Sequence, residues 1–301
     1  MEKAFERALL VGDNPFHNIS HLSQERMRLR GNKIGSPEYG ADLVSLSCEN
    51  GANGFMFSVS ETTLAILKEI RNRGTAHRLG LYPIVPYAYE YVQLATQLGG
   101  ISGLAKRFAG QILASHSPSL IAAGLKGAAF SDPVSLMKAY LLFEISRIKS
   151  SAGKHANIDS MFLHEVITDM ALALNLDWFL AAYVHFMSKR KITPGFNTCN
   201  LPYLIGKLRD WQIDIRKVFV AAPLNRVGFQ MNPSKEECER TLSSLPGPTV
   251  IAISILAAGY LKPQKAIEYI AELPNIKGVA VGVSKETHAK ETFRNLREQL
   301  G

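Results

Sequence analysis

The sequence predicts one α/β domain, a (β/α)8 barrel of the TIM type with a helical insertion after its third strand. Three observations predict it. Short apolar runs alternate with amphipathic segments, as in a parallel sheet with crossover helices. Eight such runs can be counted, several of them apolar almost throughout, as strands covered on both faces must be. The rival, an open doubly wound sheet, normally carries Gly-x-Gly-x-x-Gly after its first strand. Here that turn reads Val11-Gly12-Asp13-Asn14-Pro15-Phe16.

The expected strands are Ala8–Val11, Gly54–Phe57, Leu81–Val85, Ser160–Leu163, Ile192–Phe196, Lys217–Ala221, Thr249–Ile253 and Gly278–Val283. Helix starts are marked between them. Ser36-Pro37 sets a capping hydroxyl before a first-turn proline. Ser58 to Glu61 and Ser234 to Glu237 fit the Ser-x-x-Glu capping box. Asp132-Pro133 opens a helix to about Ser150, and Pro263 one over Gln264–Leu273. Gly51 and Gly74 read as helix stops. More than 70 residues separate the third strand from the fourth, too many for a bare loop. The insertion, residues 91–157, should therefore be helical, with Tyr91–Leu98 and Ile101–Leu113 as its first helices. It is basic, with seven Lys or Arg against Asp132 and Glu144, and carries most of the chain's net charge of +8. A packed subdomain, a lid and a homodimer interface all suit it.

Composition bounds the function. Of 301 residues 47% are hydrophobic and 20% charged, which excludes disorder. Two domains would suit that length, but barrels of roughly 250 residues fold as one. No apolar run is long enough to cross a membrane. The first seven residues lack the basic-then-apolar layout of a secretory signal, and three cysteines make no disulfide framework, so a cytoplasmic protein is expected. No nucleic-acid module is visible, so nucleic acid is not an expected partner. A small anionic ligand is.

Chemistry in such barrels sits at the C-terminal strand ends. The first strand leads to Asp13, Asn14 and His17, the second to Ser58, Ser60 and Glu61, and the third to Tyr87, Tyr89 and Glu90. The fourth ends in His164-Glu165 with Asp169 beyond, the fifth in Asn197-Thr198, and the sixth is followed by Asn225. His164 closes a buried strand and has the side chain best suited to proton transfer near neutral pH; a buried structural histidine is the bland alternative. Glu61 reads more simply as a helix cap, and Asp13 as an Asx turn. Cys48, Cys199 and Cys238 have no zinc spacing, and His17 with His21 gives no metal pair, so no metal site is expected. Gly259 after the seventh strand, and Gly282 with Ser284 and Lys285 after the eighth, could bind an anion. The glycines allow close backbone approach, a helix starting at Ser284 offers free N–H groups, and Lys285 adds charge.

The second half of the chain resembles the aldo-keto reductase superfamily. Ile158-Asp159-Ser160-Met161-Phe162-Leu163-His164 looks like that family's fourth strand, which ends in its catalytic histidine. Pro194-Gly195-Phe196-Asn197 is similar to its fifth-strand turn. Ala257-Ala258-Gly259-Tyr260-Leu261 and Val281-Gly282-Val283-Ser284 look like its nucleotide-binding end. The resemblance implies NAD(P)H as cofactor and a tetrad of aspartate, tyrosine, lysine and histidine. Only His164 carries over. The second strand ends Phe55-Met56-Phe57-Ser58 without aspartate, no tyrosine follows it, the third strand lacks lysine, and Thr292 replaces the last helix's asparagine.

The sequence thus supports an enzyme using acid–base chemistry on a small anionic or phosphorylated metabolite. His164, Glu165, Asp13 and Tyr87 are the candidate catalytic groups. Asn14, His17, Glu61, Asn197 and Asn225 would bind substrate, and Gly259, Gly282, Ser284 and Lys285 the anion or cofactor. An NAD(P)H-dependent reductase and a non-catalytic binding barrel are the alternatives.

Overall fold

The structure, a computed structural model, describes residues 7–17, 36–74, 79–87 and 132–301. Eight parallel strands close one barrel: β1 Ala8–Gly12, β2 Gly54–Ser58, β3 Gly80–Val85, β4 Ser160–Leu163, β5 Thr193–Asn197, β6 Phe219–Pro223, β7 Val250–Ile253 and β8 Ile276–Gly282. The seam is made by β1 and β8, in register from Ala8 opposite Gly278 to Gly12 opposite Gly282. The outer helices among the described residues are α1 Pro37–Glu49, α2 Glu61–Asn72, α3 Pro133–Ala152, α4 Glu165–Ala173, α5 Asp177–Ser188, α6 Leu201–Asp210, α7 Lys235–Ser243, α8 Pro263–Glu272 and α9 Glu286–Leu300. None is long and apolar enough to cross a membrane.

Alternation along each strand divides the core in two. Ala8, Leu10, Met56, Tyr82, Phe162, Ala221 and Ile251 fill the barrel. The outward set, including Val11, Phe55, Phe57, Phe196, Val220 and Val279, packs under the helices. The inner set works by pairing large with small. A Cβ on Gly195 would lie 2.6 Å from the Phe162 ring, so the bare backbone of β5 is what lets that ring lie across the barrel.

Helix starts follow local chemistry. Ser36 accepts the Tyr39 N–H, Asp132 accepts from Val134 and Ser135, and Ser234 accepts from Glu237. Three expectations shift. The capping box before α2 is built by Ser60 and Thr63, not Ser58 and Glu61. Ser58 is still strand: its N–H is given to Asp13, and its carbonyl accepts the Thr63 hydroxyl. The last helix begins at Glu286, with Lys285 as its cap residue, so Ser284 does not open it. The sixth strand also starts late, because Asp214 accepts the Arg216 N–H and caps a 3-10 turn over Ile215–Lys217. Of the insertion, α3 is described; Tyr91–Leu98 and Ile101–Leu113 lie outside the described residues.

Candidate active site

β1 leads into a 3-10 turn, Asn14–His17, which packs Phe16 against Phe55 in the outer core and returns His17 to Asp13. Asp13, 5% exposed, uses one oxygen twice: Oδ2 accepts the Ser58 N–H at 2.7 Å and lies 3.0 Å from His17 Nε2. The carboxylate of strand one therefore reaches the end of strand two. An ionised carboxylate only accepts, so Nε2 carries the proton and Nδ1 keeps its lone pair. The His17 ring stacks on Tyr87, centroids 5.0 Å apart and planes inclined by 28°. Three strand ends thus converge on one carboxylate–imidazole–phenol assembly.

His164 follows β4 two positions after Phe162, which fills the barrel, so alternation turns it inward. Its Nδ1 accepts the Val166 N–H at 3.2 Å, capping α4. The neutral ring therefore carries its proton on Nε2. Burial holds its pKa below the ordinary imidazole value; Glu165, Asp13 and Asp169 act in the opposite direction. Asn197 is the corresponding residue of β5, since Leu163 pairs with Phe196 one step earlier. It is 7% exposed, and its buried Oδ1 has no hydrogen-bond partner among the described residues.

The other sequence candidates lie elsewhere. Glu165 accepts a long contact from the Cys199 thiol, 3.5 Å, on the α4 side of the fifth-strand loop. Asp169 accepts the Thr198 hydroxyl at 2.5 Å. Burial first, then these carboxylates, push the Cys199 thiol up to about 12. That thiol is no nucleophile near neutral pH. Asn225 spends both ends of its amide on Phe229, giving Nδ2–H to its carbonyl and accepting its N–H. Asn14 is exposed. Glu61 is exposed on the first turn of α2 and paired with Arg147 at 2.6 Å. Tyr89, Glu90 and His21 lie outside the described residues.

Across the β1–β8 seam, beside the β1 turn, Gly282 and Lys285 are exposed and Ser284 is half-buried. Among the described residues the cap of α9 makes no side-chain hydrogen bond to its first-turn N–H groups. The turn after β7 is left-handed at Ala257, Ala258 and Gly259, with φ of 45°, 59° and 88°. Its Ala257 and Gly259 N–H groups are already given to Ser254 and Leu256 carbonyls. Among the described residues no cluster of His, Cys, Asp and Glu could hold a metal ion.

With this geometry in hand, the chain can be set beside known proteins. Two solved structures of a protein from Pseudomonas aeruginosa, provisionally described as an aldo-keto reductase, match it at a TM-score of 0.59 and 12% identity. The matches cover 97% of this chain and 91% and 90% of theirs. The match shows that the chain shares the fold of these two structures, which its own topology gives as a closed eight-stranded parallel barrel. No family model matches the sequence, and no curated protein does. Within its barrel this chain has His164 at the fourth strand end and Asp13, His17 and Tyr87 where three other strand ends meet. Sequence reasoning placed His17 only among binding residues. The Asp13-x-x-x-His17 spacing was visible, but the 3-10 turn that makes it a bonded pair was not.

Proposed function

We propose that this chain is an enzyme that moves protons on a small, anionic or phosphorylated metabolite held at the barrel mouth. The observation that carries the reading is the buried Asp13–His17 pair, 3.0 Å apart with both side chains 6% exposed, braced by Tyr87. Asp13 fixes the tautomer and stabilises the imidazolium formed when Nδ1 takes a proton, the logic of carboxylate–histidine pairs generally. His164 contributes a neutral Nε2–H, suited to polarising a carbonyl rather than to donating a full proton. Lys285 and the N–H groups opening α9 would hold the anion.

The aldo-keto reductase barrel supports a second reading, a reductase using NAD(P)H. That cofactor would supply a hydride. Its phosphates fit Lys285 and the first turn of α9, but the turn at 257–259 offers them little, because the Ser254 and Leu256 carbonyls take the Ala257 and Gly259 N–H groups. His17 or Tyr87 would then protonate the developing alkoxide. A homodimer built on the third connection, where Leu136 of α3 is 61% exposed, is part of the same proposal and would show in light scattering.

Thermal melting with inorganic phosphate, NADPH and NADH tests both readings. A ligand at 100 times its Kd should stabilise the fold by about 2.7 kcal/mol. A response to phosphate that disappears in Lys285→Glu supports the first reading. A response to NADPH or NADH but not phosphate supports the second. No response to any of the three overturns both.

A further inference from the structure

The N-terminal end of the barrel, opposite the mouth, carries a cavity that the proposed function does not use. Its volume is about 340 Å³, and it opens between the start of β1, the turn after α1 and the last turn of α9. Two arginines line it, Arg7 from just before β1 and Arg297 from α9, with the buried Leu9 and Ala52 as apolar wall. Asn53 borders it but is spent on the fold: its Oδ1 accepts the Leu9 N–H, and its Nδ2–H is given to the Arg7 carbonyl. Arg7 is half-buried. Its Nη1–H goes to the Leu300 carbonyl at 2.9 Å, and its buried Nε has no partner among the described residues. The exposed Arg297 lays its stem over Gly51, where φ is +123° and a Cβ would lie 2.8 Å from Arg297 Cβ. Among the described residues no aspartate or glutamate lines the cavity, and neither guanidinium has an ion-pair partner.

Residues at this end of such barrels usually serve stability, and Arg7 does tie β1 to α9 through the Leu300 carbonyl. That task takes one N–H and leaves the charges unexplained. A guanidinium drawn out of water costs free energy when unpaired, and two like charges on one cavity repel. An anion offsets both costs. We infer that the cavity binds a small dicarboxylate, with one carboxylate on each arginine and the carbon chain between them against Leu9 and Ala52. The guanidinium fork matches the two oxygens of a carboxylate. The two forks come from different elements and have apolar wall beside them, which suits a flexible diacid better than a compact phosphate. The volume falls in the range of small-molecule pockets, about 300–1,000 Å³. Arg297 lies eleven residues after Glu286, roughly 17 Å further along α9, so this site is separate from the one proposed at Lys285. It rests on neither reading of the mouth.

The test titrates the protein with succinate, glutarate, acetate and inorganic phosphate at constant ionic strength, following backbone amide and arginine Nε–H NMR shifts. Succinate or glutarate should bind about tenfold more tightly than acetate, since two charged pairs form in place of one. The shifts should fall on Arg7, Ala52, Asn53 and Arg297. Arg297→Gln should lose that tenfold preference, and Arg297→Lys, which keeps the charge without the fork, should retain part of it. Lys285→Glu should bind the diacids as wild type does. Without ligand, Arg297→Gln should unfold at the same urea concentration as wild type or higher, since it relieves repulsion between two cations. No binding of either diacid, equal affinity for acetate, phosphate bound more tightly than the diacids at these residues, or a preference that survives in Arg297→Gln overturns the inference. So do shifts confined to residues 284–289, which would place the anion at the other end of α9. A marked loss of stability in unliganded Arg297→Gln overturns it too, because the fold itself would then satisfy that charge. Loss of the phosphate and nucleotide responses with diacid binding intact would sink the proposed reaction and leave this site standing.

Discussion

Cys199 shows how a residue's neighbours decide its chemistry. It follows the fifth strand, where a nucleophile would be well placed, yet its thiol faces Glu165 and lies near Asp169. Two carboxylates oppose a third negative charge, and burial opposes it further, so the thiolate is scarce. Iodoacetamide at pH 8 should modify Cys199 far more slowly than a free model thiol. Glu165→Gln should speed the reaction roughly tenfold by removing one carboxylate. Equal rates in the two proteins, read by mass spectrometry at that residue, would separate Glu165 from the thiol. The same contacts give Glu165 and Asp169 a structural task. Through Thr198 and Cys199 they tie α4 to the loop that follows Asn197.

At the scale of elements, β4 and β5 share one interlocking pair, Phe162 and Gly195. A methyl group on Gly195 would sit 2.6 Å from the ring, and aromatic carbons held among buried strands cannot retreat by much. Gly195→Ala should cost about 1–3 kcal/mol, the usual penalty for overpacking. Pairing it with Phe162→Leu should recover part of that loss, and urea unfolding of the single and double variants measures the coupling. Full additivity would mean that the ring moves aside freely. Most elements were legible in the sequence for simple reasons: eight apolar runs, caps at Ser36, Asp132 and Ser234, and glycine stops at Gly51 and Gly74. The misses were local. Ser58-x-x-Glu61 and Ser60-x-x-Thr63 both resemble capping boxes, and only the Asp13 carboxylate holding the Ser58 N–H decides between them. His164 and Asn197 could be placed at strand ends from the pattern. The Asp13–His17 bond could not, because a 3-10 turn leaves no periodic trace.

For the whole molecule, His164 links the site to stability. Its folded pKa lies below the ordinary value of about 6.5, chiefly through burial. Between those two values the unfolded chain binds a proton that the folded chain refuses. Stability should therefore be full above pH 6.5 and decline as the pH falls through that window. The slope is at most about 1.4 kcal/mol per pH unit, and less here because the ring is partly exposed. Asp169 works in the opposite sense and at lower pH: its raised pKa favours the folded state below the ordinary carboxylate range, and that support fades as pH rises. Urea midpoints at pH 7.0 and 5.5 should differ more in wild type than in His164→Asn, which can still cap α4. An identical difference in both would show that other groups control the acid limb.

The seam between β1 and β8 brings Pro15 against Gly282, where a Cβ would lie 2.9 Å from the proline ring. Pro15 sits in the turn that carries Asp13 and His17. A side chain added at position 282 would press on a rigid ring two residues from each of those groups. The β1 turn and the β8 end are thus not separable by mutation at that point: under the proposed function, any larger residue there disturbs proton transfer and anion binding together, and their losses rise and fall as one phenotype. Lys285, exposed and free of that contact, is the position from which the proposed anion site can be altered alone. Natural variation should obey the same constraint, with residue 282 staying glycine wherever a proline occupies position 15, whatever ligand the barrel has come to hold.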